Sequence, residues 1–504
     1  MPPTPAKLWA KRKLLFQLAK AGTKRRRGGP VTEVVERAPD LTRLPALKTW
    51  SRDGGRFITL PLVYTEHPET GGHNLGMYRI QVYGPDEVGV HMQIGKGGGF
   101  HLAAAEALGR PLPVNVHIGG PPALVLAAIA PLPENVPELL LASLALGERL
   151  ELAHNPAGPL PVIARADFCL VGEIVPGARR PEGPFGDHYG YYSEVHDYPV
   201  MRCKALLRRK DAIFPATVVG KPRQEDFFLG DYLQRLLAPL FPIVMPSVRD
   251  LWSYGETGYH SLSAAVVHER YRREAMMSGF RILGEGQLSL TKFLLLTDSP
   301  IDLRDFPATL AHVLARADFR TDLFILANLS MDSLDYAGPR INEGSKGILL
   351  GTGEPVRALP TEFDGEPRCG VTDVRVFTSG CLVVEGPAYE ATGDFPRRVA
   401  RDPAFAAWPL VVLTDDAERA THSSMSFLWT TFTRFDPAAD LHAAEIRLVG
   451  SHAAFTAPIV IDARRKPGYP EELFCDEETA RLVDRRWTEY FPAGDVEMGD
   501  SDRM

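Results

Sequence analysis

Hydrophobic positions alternate with polar ones from residue 57 to about 95. "RFITLPLVY", "YRIQVYG" and "VGVHMQI" each carry the two-residue period of a half-buried strand, and "GPDE" between the last two is a turn. A Gly-rich loop, "GKGGG", leads into the helix-like "FHLAAAEALG", followed by a short strand, "VNVHIGG". Two helical segments come next, "PPALVLAAIA" and "ENVPELLLASLALG"; in the second, Glu134 and Glu138 stand one turn apart, so only one need face inward. Strands return in "ERLELAHN", "ADFCLVGEIV", "VMRCKALLRR" and "IFPATVVG". Strands with local helical insertions, closed by tight turns, predict a β-barrel-like domain over residues 55–225, after a basic, helical N-terminal segment, 1–54.

Beyond Gly220 the rhythm changes. "FFLGDYLQRLLAPLF" reads as helix, "SLSAAVV" as extended and "HERYRREAMMSGFRILG" as helix, which makes 226–285 a largely helical linking segment. "TKFLLLTD", "DFPATLAHVLARAD" and "LFILAN" then alternate strand, helix and strand, and predict a C-terminal α/β domain over 286–504. Within it, "FLLLTDSP…HVLARADFRTDLFIL" (293–326) is echoed by "LVVLTDDA…WTTFTRFDPAADLHAA" (410–444). Either the unit is duplicated or two ordinary α/β units look alike; the sequence leaves both open.

Composition narrows the class. A chain of 504 residues with 45 % hydrophobic and 24 % charged residues is long enough for two or three globular domains. A net charge of −7 with no dominant basic stripe gives no reason to expect nucleic acid. Five scattered cysteines without a CxxC pair favour a reducing cytosol over a disulfide framework or a zinc cluster. No apolar run approaches the roughly 20 residues that span a bilayer. The N-terminal stretch, with Leu8, Leu14, Leu15 and Leu18 on one potential helix face among lysines, lacks the features of a signal peptide. It suits either packing on its own protein or peripheral contact with an anionic membrane, and the expected location is the cytoplasm.

Candidate chemistry concentrates in four stretches. "PEGPFGDHYGYY" sets Glu182 and Asp187 five residues apart among Gly, Pro and Tyr, a pattern open both to a solvated turn and to a sheltered carboxylate pair. "HNLGMYRIQ" offers Asn74 and Arg79, and Arg is the side chain best suited to gripping a carboxylate through two parallel hydrogen bonds. "GKGGG" can present Lys96 and backbone N–H groups to a phosphate or serve as a plain turn; it matches neither the P-loop nor GxGxxG. "NEGSKGILLGTG" holds Ser345 and Lys346 between glycines, as a second phosphate loop or a surface turn.

In order and spacing, "NLGMYR", "VHMQIGKGGG", "PENVPELLLASL", "PEGPFGDHYGYYSEV", "VVGKPRQED", "TKFLLLTD", "MDSLDYAGP" and "GSKGILLG", spread over about residues 50–350, resemble the UbiD family of prenylated-flavin-dependent decarboxylases. The resemblance implies an α/β (α+β) architecture, a split β-barrel joined by a linker helix to a C-terminal α/β domain through which homodimers or higher oligomers form. It implies prenylated FMN lined by Asn74, Met77, Tyr78, Arg79, His91, Met92, Gln93, Lys96 and Gly97, with Lys346 on its phosphate. Asn74 and Glu138 match the ligands of a divalent metal, Mn²⁺ or Mg²⁺, with K⁺ as a further ion, and hard oxygen donors suit such cations. One departure is Gly95, where many relatives have a metal-binding His.

Arg79, Glu182 and Asp187 match the family's catalytic network. A second carboxylate nearby raises a pKa and a close Arg lowers one, so Arg79 lets the acids differ: Glu182 positions Arg79, and Asp187 cycles the proton. His188 either tunes Asp187 or, as the leading expectation, bonds to backbone. The function implied is non-oxidative and in principle reversible decarboxylation of an aromatic or α,β-unsaturated acid, the cofactor coming from a prenyl-flavin synthase. A catalytically inactive flavin-binding or assembly subunit is the alternative, favoured by Gly95 and opposed by the retained acids. An ordinary flavin oxidoreductase is a further one, for which no nicotinamide fingerprint is present.

Overall fold

In the computed structural model, which describes residues 20–92, 97–132, 136–221 and 223–496, the alternation around residue 60 sorts side chains onto the two faces of one sheet. Val63 faces one buried cluster with Ile80, Val88, Val114, Val116 and Leu170. Its neighbours Leu62 and Tyr64 face another with Leu75, Cys169 and Val171. Of the N-terminal segment 1–54 expected to be helical, residues 1–19 lie outside the described residues, and 20–54 carries the short strands Thr23–Arg26 and Val34–Glu36 rather than an α-helix.

The chain divides into two compact units, Met1–Gly186 with Tyr192–Val219, and Asp187–Tyr191 with Gly220–Met504. The first is built on a curled nine-stranded sheet whose pairings are all antiparallel. Its two longest strands, Phe168–Glu182 and His196–Arg208, pair with each other. The helices Ala123–Ile129 and Glu138–Leu146, with a three-stranded sheet, cover one face. "VNVHI" shows why polar residues alternate into a core strand: Asn115 donates to the carbonyls of Leu160 and Pro161, and His117 Nε2 accepts from Ile163 N at 3.0 Å. "IFPATVVG", expected as a strand, joins no ladder.

The second unit holds two five-stranded mixed sheets. The stretch 226–285, expected as a helical linker, starts with the helix Glu225–Leu237 but also carries the strands Val248–Ser253 and Leu262–Val267 of the first of these sheets. "NEGSKGILLGTG", expected as a Gly-rich loop, is the buried strand Glu343–Leu350. A β-carbon on Gly347 would lie 2.3 Å from the Phe293 ring, so this glycine permits close packing rather than a turn. Both sheets contribute to one core, which joins Leu262, Phe293 and Leu295 to Val383, Val412, Phe427 and Ile461. No helix among the described residues is long and apolar enough to cross a membrane.

Candidate active site

The register of the first unit's sheet sets Arg79 beside His91. Ile80 pairs with Val90, and just before that pair His91 N donates to the Arg79 carbonyl at 3.1 Å. Glu182 closes the long strand Phe168–Glu182, and Gly183 turns the chain away with φ of +100°, a conformation that favours glycine. These termini meet in a buried ion pair. Arg79 Nε donates to Glu182 Oε1 at 2.7 Å and Nη2 to Oε2 at 2.9 Å, while His91 Nδ1 lies 3.2 Å from Oε2. Glu182 has no solvent exposure, and burial alone would push its carboxyl up; the Arg79 charge, with His91, outweighs burial and holds it at about 2.

Ser193 completes the cluster. Its hydroxyl accepts from Arg79 Nη2 at 3.0 Å and from Phe185 N at 3.1 Å, and the Phe185 ring lies under the guanidinium at 4.8 Å. Ser193 stands in "GYYSEV", inside the quoted signature, yet nothing in its spacing announces that it bridges the arginine and the turn.

A second cluster forms around Tyr78. Its hydroxyl accepts from Gly98 N at 3.1 Å and from Asn74 Nδ2 at 3.3 Å, and Glu138 Oε2 accepts from Leu75 N at 3.2 Å. Burial raises the Glu138 carboxyl above its ordinary value, with only backbone N–H groups, its own and that of Leu75, countering it. A partly buried carboxylate and an amide oxygen fit a hard divalent cation, which would stabilise the charged carboxylate. A β-carbon on Gly97 would lie 2.0 Å from Asn74 Oδ1 and one on Gly98 3.0 Å from the Tyr78 ring. The helix Gly97–Ala107 therefore starts on a side-chain-free turn, and its N-terminal amide end fits a phosphate-bearing cofactor. Met77 packs on the cluster below the two small helices and Met92 in the sheet core. Gln93, Gly95, Lys96 and Glu134 lie outside the described residues.

Asp187 belongs to the second unit. Its Oδ1 accepts from His188 N at 2.7 Å and lies 2.7 Å from His188 Nδ1, so His188 bonds to the carboxylate rather than to backbone. Burial would lower the His188 pKa; the bond to Asp187 and the charges of Asp187, Asp332 and Asp226 lift it to about 9. Asp226 is itself pushed up to about 6 by burial, against the pull of His188. Asp332, in "MDSLDYAGP", binds His260 Nδ1, a role its sequence position does not indicate. A cavity of about 30 Å³ borders His188, Lys221, Asp226, Tyr259 and Trp429. Lys346 is buried in the strand Glu343–Leu350; its amine donates to the Thr291 carbonyl at 2.9 Å, and burial lowers its pKa to about 8.

The first unit thus sets a buried arginine clamped by a carboxylate and a glycine-started helix on one curled sheet, and comparison with known proteins identifies the family. Residues 23–222 match the 3-octaprenyl-4-hydroxybenzoate carboxy-lyase Rift-related domain of the UbiD family, and 227–351 match that family's C-terminal domain. An uncharacterised protein of Chlamydia trachomatis serovar D is 49 % identical over 493 residues, covering 97 % of this chain and 85 % of its own length. A Chlamydia pneumoniae protein named as one of the subunits of 4-hydroxybenzoate decarboxylase is 48 % identical over 490 residues, covering 97 % and 83 %. Among solved structures, the UbiD-class enzyme HmfF of Pelotomaculum thermopropionicum in complex with FMN is 26 % identical with a TM-score of 0.59, covering 69 % of this chain and 78 % of its own. The vanillic acid decarboxylase of Sedimentibacter hydroxybenzoicus is 25 % identical with a TM-score of 0.63, covering 72 % and 79 %.

The chain belongs to the UbiD family of carboxy-lyases. The second five-stranded sheet, from Asp373 to Asp462, lies beyond the residues that the family's domains match.

Proposed function

We propose that this protein is a non-oxidative decarboxylase of an aromatic or α,β-unsaturated carboxylic acid that uses prenylated FMN, with Arg79, Glu182 and Asp187 as its catalytic residues. The observation that carries the reading is the buried Arg79–Glu182 pair. A guanidinium held at two nitrogens by one carboxylate cannot swing to follow solvent, and presents a fixed positive charge to a substrate carboxylate. Glu182, ionised down to about pH 2, keeps that charge paired before substrate arrives. When bound, the prenylated flavin supplies an electron sink for the carbon that loses CO₂. Asp187 delivers the proton that this carbon then takes up, and His188, hydrogen-bonded to it, holds a proton in the pair at neutral pH.

Asn74 and Glu138 would hold Mn²⁺ or Mg²⁺ beside the flavin phosphate, for which the start of the helix Gly97–Ala107 supplies N–H donors. Self-association through the second unit is supported by the helix Glu225–Leu237, whose residues Phe228, Tyr232 and Leu236 recur every four positions and remain 61, 56 and 44 % exposed.

The test is the mass and absorption spectrum of the cofactor released from protein co-expressed with a prenyl-flavin synthase, with elemental analysis of the same sample. The reading expects prenylated flavin and manganese in the wild type, and flavin with depleted metal in Glu138→Gln. Unmodified FMN in protein supplied with the synthase contradicts it.

A further inference from the structure

The two sheets of the second unit repeat one plan. Each has an outer antiparallel strand, three parallel strands and a final antiparallel strand, in the orders Val248–Ser253, Leu262–Val267, Phe293–Thr297, Glu343–Leu350, Leu323–Ser330 and Asp373–Thr378, Cys381–Glu385, Leu410–Thr414, His452–Asp462, Leu441–Val449. Register makes the copies comparable residue by residue. Leu296 pairs with Leu350 in the first, and Leu413 with Asp462 in the second. One residue on, Gly351 N donates to the Leu296 carbonyl and Ala463 N to the Leu413 carbonyl, both within 2.8 Å. Two further on, Gly353 N donates to the Asp298 carboxylate and Arg465 N to that of Asp415. The same loop therefore reads Gly351-Thr352-Gly353-Glu354 in one copy and Ala463-Arg464-Arg465-Lys466 in the other.

We propose that the crevice at the carboxyl edge of the second sheet, floored by this basic loop, binds a small ligand through an oxyanion, a phosphate or a carboxylate group. The crevice encloses about 450 Å³. It opens where adjacent parallel strands send their following helices to opposite faces: Phe395–Arg401 packs on the outer cluster and Ser424–Arg434 in the shared core. That divergence is the usual seat of ligands in open α/β sheets.

Four cations line it, Arg419, Arg434, Arg465 and Lys466, with the acids Glu390, Asp415, Asp416 and Glu472. Most of the negative charge is already engaged. Glu472 is bound by Arg419 and Lys221, Asp416 caps the helix Ala417–Thr421 by accepting from Arg419 N, and Asp415, which accepts the Arg465 amide, is paired with the Arg434 guanidinium at 3.5 Å. Lys466 lies 3.0 Å from Asp440 and near the Tyr389 ring. The guanidinium of the exposed Arg465 donates to the carbonyls of Tyr469 and Pro470, which carry no charge. The arginine that this copy has in place of glycine is thus the cation least neutralised by protein, and a guanidinium there is suited to gripping an oxyanion. Inside the crevice Arg434, nine-tenths buried, donates from Nε to the Tyr191 hydroxyl at 3.0 Å, tying the site to the segment that carries Asp187.

Calorimetric titration of the full chain with inorganic phosphate, and separately with malonate, at constant ionic strength held with chloride, tests this. Saturable binding is expected, weakened about tenfold in Arg465→Gly, which restores the first sheet's residue, and also in Arg465→Gln. Tighter binding of phosphate assigns a phosphate-bearing ligand, and tighter binding of malonate a carboxylic acid. Absence of saturable heat with both anions, or equal affinity in wild type and both variants, overturns the proposal.

Discussion

Replacing Glu182 by Gln keeps the shape of the side chain and removes its charge from a fully buried site bonded to Arg79 and His91. At about 1.4 kcal/mol per tenfold change in proton affinity, the fall of its carboxyl pKa from 4.5 to about 2 amounts to about 3 kcal/mol of stability at neutral pH. The sign follows from the direction. A depressed folded-state pKa contributes in full above about pH 4.5 and is lost as pH falls through about 2, so that about half survives at pH 3. Urea unfolding, read through hydrogen-exchange protection of the strand Phe168–Glu182, measures this at both pH values. Glu182→Gln is expected to cost about 3 kcal/mol at pH 7 and about half that at pH 3. A cost below about 1 kcal/mol at pH 7, or one equal at both pH values, would refute the reasoning, because a purely steric defect does not titrate.

His188, raised to about 9, stabilises fully below its ordinary pKa of 6.5 and loses that contribution as pH climbs through 9. Thermal melts should therefore show the wild type declining between pH 6 and 9.5 more steeply than His188→Gln; parallel declines would remove His188 as the cause. Phe228→Asp with Tyr232→Asp places charge on the exposed apolar helix face, and sedimentation should show a shift to monomers with unchanged circular dichroism, whereas an unchanged oligomer would exclude this face from the interface.

The parts of the fold legible in the chain are those whose period matches their burial. "TKFLLLTD" and "LVVLTDDA" are the strands Phe293–Thr297 and Leu410–Thr414, and the echo between them reflects a repeated sheet. The outer strands Val248–Ser253 and Asp373–Thr378 are not legible, since one stands in a stretch that reads as helical and the other between turn-rich segments. "GSKGILLG" reads as a loop because glycine signals both turns and close packing, and only the ring of Phe293 against Gly347 shows which applies. At the site, pairing of Arg79 with Glu182 is expected from the family signature. The bridging Ser193 and the bond from His188 to Asp187 depend on how the chain turns after Gly183, which residue types alone do not encode.

The most direct test of the account is CO₂ release by protein loaded with prenylated flavin, measured on a panel of aromatic and α,β-unsaturated acids that includes 4-hydroxybenzoate, for the wild type and Asp187→Asn with flavin content quantified in both. The account predicts release from at least one acid by the wild type and its loss in Asp187→Asn at equal flavin occupancy. Near-normal release by Asp187→Asn would contradict it.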